Sequence, residues 1–196
     1  MEKKWNIKPK MEIADVDGVS QKLQLPPVIS MLLMQRGITT YEEAKTFFHP
    51  KLTDMHNPFL MKDMDLAVER INRAASRGEK LLIYGDYDVD GTTSVALVYS
   101  FLKKHLGADK LDFYIPNRYT EGCGISYEGI DYAKEKGISL VVALDCGIKA
   151  VEKVGYAKSL GIDFIICDHH TPDETLPDAV ACLDARREDC SYPDKN

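Results

Sequence analysis

Asp86, Asp88 and Asp90 fall within five residues of one another, in D-Y-D-V-D-G. Asp145 closes the run V-V-A-L-D, and Asp168 opens D-H-H with His169 and His170. Carboxylates brought together repel and raise one another's pKa values, so such a cluster persists most easily when cations neutralise it. Aspartate with a little histidine is a donor set for hard or intermediate divalent ions such as Mn²⁺ or Mg²⁺. The adjoining cysteines, Cys146 and Cys167, offer no paired spacing, which disfavours a zinc–thiolate site. A lone strand-end aspartate would read as a helix cap. Three in five residues, a further one at Asp145 and an Asp-His-His exceed what capping needs. Asp184 has no such company and is read as a cap.

Two competing motifs fail. Asp86-x-Asp88-x-Asp90-Gly91 matches the first half of an EF-hand loop, including its sixth-position glycine. The twelfth position is Leu97, where that loop needs a bidentate glutamate, and an apolar β run precedes Asp86 where it needs a helix. The chain also contains neither G-x-x-x-x-G-K-[ST] nor G-x-G-x-x-G, so the phosphate loops of nucleotide-binding folds are missing.

The elements that must position these residues alternate. From residue 65, helical stretches ending at Gly78, Gly107, Gly137 and Gly161 separate short apolar runs: LLIYGD, LDFYIPN, LVVALD, FIICD and AVACLD. This is the βαβ pattern of a parallel sheet covered on both faces. The expected fold is a three-layer α/β/α domain with a mainly parallel five-stranded sheet over residues 63–196, preceded by a small helical segment over residues 1–62. Four of the five runs end in aspartate, at Asp86, Asp145, Asp168 and Asp184. Parallel strands end on one edge, where ligands of open α/β folds bind. In the N-terminal segment, Pro26 and Pro27 precede a short apolar helix stopped by Gly37, and T-Y-E-E from Thr40 to Glu43 has the capping-box form. Two helices around a glycine resemble a helix-turn-helix. A plain helical appendage is the better reading, because the second helix carries Glu42 and Glu43 and only one lysine.

Composition narrows the class. A length of 196 residues, 44% of them apolar and 29% charged, suits a globular domain with an appendage. The net charge of −6 argues against gripping nucleic acid by bulk positive charge, but an acidic metal site accounts for part of it. The polar, lysine-rich MEKKWNIKPK has no apolar run after it, so no signal peptide is expected, and no apolar run is long enough to span a membrane. Five cysteines, with no C-x-x-C, fit reduced core thiols in an intracellular protein better than a disulfide framework.

With D-Y-D-V-D-G, L-D-C-G and D-H-H in this order, the sequence resembles the DHH phosphoesterase superfamily. YIPNRYTEGCGIS, the segment from Pro26 to Pro50, HNPFLMKDM and DCSYP are similar to the RecJ-type single-strand-specific DNA exonucleases of that family. The resemblance implies a metal-dependent phosphodiesterase acting 5′→3′ on single-stranded DNA in recombination and repair, with two Mn²⁺ or Mg²⁺ ions as cofactors. It implies that Asp88 and Asp90 each ligate one ion, Asp86 completes the first site, Asp145 bridges both, and His169 ligates the second. His170 would face the substrate phosphate, and Arg118, Gly122 and Gly124 would line its binding loop. The family loop usually reads Gly-Tyr-Gly, and Cys123 replaces its aromatic residue here, which would weaken stacking or loop packing. The family's fourth motif and its following DHHA1 domain are not in this sequence, so residues 63–196 are expected to be an incomplete DHH domain.

Two further readings are carried. One is a DHH-family hydrolase of oligonucleotides, cyclic dinucleotides or pyrophosphate. The other is an inactive, truncated binding module. Expected partners are a single-stranded DNA 5′ end and, in a longer protein, single-strand-binding protein and a helicase, with no membrane involved.

Overall fold

The computed structural model describes residue 6 and residues 13–195, so the reading of residues 1–10 as lacking a leader lies outside the described residues. The chain divides into two compact units, Met1–Met55 and His56–Asn196. In the first, α1 spans Ile13–Leu23, α2 spans Pro27–Met34 and α3 spans Tyr41–Phe48. Pro27 opens α2, where its missing N–H costs nothing. Thr40 and Glu43 form the expected capping box. Glu43 N donates to Thr40 Oγ1 at 3.2 Å, and Thr40 N donates to Glu43 Oε2 at 3.0 Å.

The second unit runs through α4 (Met64–Arg77), β1 (Leu81–Gly85), α5 (Val89–Leu106), β2 (Leu111–Tyr114), α6 (Tyr127–Glu135), β3 (Leu140–Leu144), α7 (Val151–Ser159), β4 (Asp163–Cys167) and β5 (Ala181–Leu183). The strands are all parallel, in the order β2-β1-β3-β4-β5. Alternate residues feed two cores. Leu82, Tyr84, Val141, Ala143, Phe164 and Ile166 pack with Ile130, Ala133, Val154 and Ala157 of α6 and α7. Leu81, Ile83, Leu140, Val142 and Ile165 pack with Ala67 and Ala74 of α4 and Val95 and Leu102 of α5. That is the expected three-layer sandwich, and each fully buried large aliphatic or aromatic side chain contributes about 1.5–3 kcal/mol to it.

Register decides what meets at the sheet edge. Gly85 pairs with Leu144, Leu144 with Cys167, and Cys167 with Leu183. The next residue in each strand is an aspartate, so Asp86, Asp145, Asp168 and Asp184 follow one another across the edge. The chain turns to opposite sides of the sheet from β1 and β3, which makes the Asp86–Asp145 gap the topological switch point.

Aspartate side chains shape the starts of two helices. α5 begins at Val89, where Asp88 caps it by accepting from Gly91 N at 3.1 Å. α7 begins at Val151, after a turn in which Ile148 N donates to Asp168 Oδ2 at 2.9 Å. Asp184 accepts from Arg186 N at 2.7 Å, so it caps a turn and not a helix.

Candidate metal centre

Asp145 stands one residue beyond β3 in the left-handed backbone region, at φ 61°. Non-glycine residues are uncommon there, although aspartate tolerates it better than most. This conformation, with Asp145 N bonded to the Cys167 carbonyl at 2.8 Å, leaves the side chain at the edge and nearly buried. Its Oδ1 lies 3.0 Å from His169 Nε2. Ligand atoms of Asp145, His169 and His170 lie within 4.8 Å of one another, a spacing that suits a shared cation. Burial raises the Asp145 pKa, and the charge of Asp88, with a smaller push from Asp90, raises it further against the pull of the two histidines.

Asp168 behaves differently. Its side chain is 1% exposed, yet its pKa lies below the ordinary value. Burial pushes it up, and hydrogen bonds overcome that push. Oδ2 accepts from Ile148 N, while Oδ1 accepts from His169 N at 2.7 Å, His170 N at 3.1 Å and His170 Nδ1 at 2.7 Å. An ionised Asp168 places the proton of His170 on Nδ1 and raises the imidazole pKa. Nε2 is then the ring atom left for a cation or a phosphate. Carboxylate support of this kind orients metal-site histidines generally.

The D-Y-D-V-D-G loop is shaped by its glycine. A Cβ on Gly91 would lie 2.4 Å from the Asp86 carbonyl oxygen and 2.6 Å from its nitrogen, so only glycine lets α5 close against the strand end. Asp86 Oδ1 accepts from Tyr87 N at 2.8 Å and Gly124 N at 3.4 Å. Asp88 and Asp90 are exposed beside it. Among the described residues, none of Asp86, Asp88, Asp90 and Asp145 has an ion pair with lysine or arginine.

A cavity of about 680 Å³ opens against this edge, lined by Asp86, Gly124, Asp145, Asp168, His169 and His170 among others. Asp88, Asp90, Arg118 and Gly122 do not line it. Arg118 instead lies over the Tyr87 ring, 4.8 Å from its centroid, a cation–π contact. Gly122 and Gly124, at φ 87° and 72°, let the intervening loop curl back to Asp86. Cys123 at its tip is exposed.

Glu121 is a site-supporting residue that sequence reasoning missed. Its carboxylate accepts from Asn117 N at 2.8 Å, Tyr114 Oη at 2.8 Å and Ser126 Oγ at 2.7 Å, which latches the Arg118 loop to β2 and α6. Burial opposes its ionisation, but these bonds lower its pKa on balance. Tyr84 Oη accepts from Ser126 N and donates to the Gly124 carbonyl, both at 3.0 Å, which ties the loop to β1. Neither residue type nor spacing signals such a latch.

The DHH family, N-terminal domain, matches residues 80–192. The single-stranded-DNA-specific exonuclease RecJ of Bacillus subtilis (strain 168) is 43% identical over 180 residues, which are 92% of this chain and 23% of that protein. The crystal structure of RecJ from Thermus thermophilus in complex with Mn²⁺ superimposes with a TM-score of 0.65 at 25% identity, covering 94% of this chain and 25% of that one. A crystal structure of exonuclease RecJ bound to manganese gives 0.61 at 28% identity, covering 69% and 34%. The chain spans about a quarter of the length of the curated relatives it matches. Among the described residues no helix is long and apolar enough to cross a membrane.

Proposed function

Because this chain belongs to the DHH family, we propose that its sheet-edge cluster binds divalent metal, Mn²⁺ or Mg²⁺, and hydrolyses phosphodiester bonds of single-stranded DNA as part of a RecJ-type exonuclease. The observation that carries this reading is Asp145. It is a nearly buried carboxylate in a left-handed conformation, 3.0 Å from His169, with its pKa raised by burial and by neighbouring acids that, among the described residues, form no ion pair with lysine or arginine. That donor set fits a hard or intermediate dication and lacks the cysteine pairs of a zinc site. A dication at this edge supplies Lewis acidity, acidifying water and drawing charge from the phosphoryl oxygens.

The chain's own residues take these roles in the proposal. Asp88 and Asp90 would each hold one of two ions, with Asp86 completing the first set of ligands and His169 the second, and Asp145 would serve both. His170, whose imidazolium form is favoured by Asp168, donates from Nδ1 to that carboxylate and is left with Nε2–H to donate to a phosphate oxygen. Arg118, steadied on Tyr87, offers the planar fork that suits phosphate, with Gly122 and Gly124 letting backbone approach the strand. Residues 63–196 carry this chemistry and residues 1–62 precede it as a helical segment. The proposed polarity is 5′→3′, the proposed setting is the bacterial cytoplasm, and single-strand-binding protein and a helicase are proposed partners.

The test is product analysis with Mn²⁺, using 5′-labelled single strands, duplex DNA, cyclic di-AMP and pyrophosphate side by side. Mononucleotides released from single strands and not from duplex are the expected result. Cleavage of pyrophosphate or the cyclic dinucleotide with single strands left intact would move the chain to another branch of the family.

A further inference from the structure

The cavity beside Asp145 is divided by charge. Asp86, Asp145 and Asp168 line it together with three cations, Lys149, Lys153 and Arg186. These cations lie outside D-Y-D-V-D-G, L-D-C-G and D-H-H. Lys153, half-buried on α7, donates from Nζ to the Ile125 carbonyl at 2.5 Å, which fixes its ammonium group at the cavity. Lys149, in the turn before α7, is paired with Asp173 at 3.2 Å, and both side chains are more than half exposed. Such a pair in water is weak and readily exchanged. Arg186, in the turn after β5, donates to two neutral oxygens at long range: Thr171 Oγ1 at 3.5 Å and the Lys195 carbonyl at 3.3 Å. Its backbone is fixed by the buried Asp184, whose Oδ1 accepts from Arg186 N at 2.7 Å.

A single phosphate held at the acidic group through metal would leave these cations unused. A nucleic acid strand presents one negative charge per linkage, so a strand engaged at the metal brings its next phosphate alongside. Resting on the phosphodiesterase reading above, we infer that Lys149, Lys153 and Arg186 form a subsite for the phosphate adjoining the scissile one. The cavity then holds two successive phosphates of one strand, the first on the carboxylate-bound metal and the second on the cations. Asp173 occupies Lys149 until that phosphate displaces it, and Arg186 exchanges two long neutral contacts for charge-assisted ones.

The test uses fluorescence anisotropy with the full chain, Mn²⁺ and 3′-fluorescein dT12. The first linkage is a non-hydrolysable methylenephosphonate that keeps its charge. A second oligonucleotide also carries a neutral methylphosphonate at its second linkage. The unsubstituted protein should bind this second strand about tenfold more weakly, the scale of one lost charge-assisted hydrogen bond. Lys149→Gln/Arg186→Gln should bind the charged strand about tenfold more weakly and no longer distinguish the two, with the salt slope reduced by about 0.7 per lost phosphate contact. Lys149→Arg/Arg186→Lys should restore the discrimination. Equal binding of both strands by the unsubstituted protein overturns the subsite, and that measurement needs no variant to fold. Full discrimination retained by Lys149→Gln/Arg186→Gln overturns it as well. Failure to release mononucleotides from a cleavable strand would instead sink the phosphodiesterase reading and leave the binding comparison standing.

Discussion

The two edges of the sheet treat acids in opposite ways. At the edge where strands begin, Glu79 and Asp163 meet Arg70, whose Nη2 and Nε donate to them at 2.7 Å and 2.6 Å. Ser139 Oγ adds a bond to Glu79 at 2.6 Å. At the edge where strands end, Asp86, Asp88, Asp90 and Asp145 form no ion pair with lysine or arginine among the described residues, and His169 Nε2 lies 3.0 Å from Asp145. The pKa values follow. Burial pulls Glu79 up, but bonds from Ser139 and Arg70 bring it below its ordinary value, whereas Asp145 stays above its own. One edge closes its electrostatics with protein groups and the other leaves them open. An acid cluster kept open at a switch point is where a cation belongs.

The largest expected effect follows from removing charge at the open edge. Asp145→Asn keeps the shape and suits the left-handed backbone. Hydrolysis of single-stranded DNA with Mn²⁺ should fall on the order of 10³-fold or more, about 4 kcal/mol of transition-state stabilisation. The metal-free protein should become more stable, because a carboxyl group whose pKa is raised on folding costs stability when ionised. Calorimetry without metal and kinetics with it must move in opposite directions. A loss of both would mean that Asp145 is a structural acid.

The same operation at the closed edge should do the reverse. Arg70 is buried, while Glu79 and Asp163 retain 18% and 42% of their side-chain exposure. Arg70→Met should cost about 2–3 kcal/mol in urea unfolding, less than a fully buried pair because solvent screens the stranded acids. Hydrolysis per folded molecule should be unchanged. With its folded pKa depressed, Glu79 contributes stability above the unfolded carboxylate pKa of about 4.3, and that contribution is lost as pH falls through the folded value. The variant should therefore show a shallower acid-side loss. An unchanged acid limb would show that Arg70 is not what holds Glu79 ionised.

This contrast was only half legible in the sequence. Apolar runs ending in aspartate disclosed the sheet, its parallel sense and the open edge, because strand periodicity and strand ends are local signals. The closed edge joins Arg70 to Asp163, and the Arg118 loop is latched through Glu121, contacts that depend on strand order and helix placement. The helix starts at Val89 and Val151 were not legible either, because they depend on hydrogen bonds that Asp88 accepts from Gly91 and Asp168 from Ile148, which compete with the helical ones. The cations of the cavity lie at positions of no marked pattern and became neighbours of Asp145 only through folding.

Asp168 is the exception that sharpens the contrast, since it sits at the open edge and is satisfied like an acid of the closed one. Its two oxygens accept four bonds, three of them from His169 and His170. Asp168→Asn replaces one acceptor oxygen with a donor, which must then face either Ile148 N or the histidine N–H groups. The turn before α7 and the aim of His170 are both loosened. Mn²⁺ affinity by titration calorimetry and hydrolysis should each fall about 10–100-fold, the usual cost of losing a carboxylate that orients a metal-site histidine. This is smaller than the effect at Asp145, because the proposed carboxylate ligands are left in place. A loss as large as that of Asp145→Asn would make Asp168 a ligand itself, and the open edge would then extend one strand further than the hydrogen bonds of Asp168 imply.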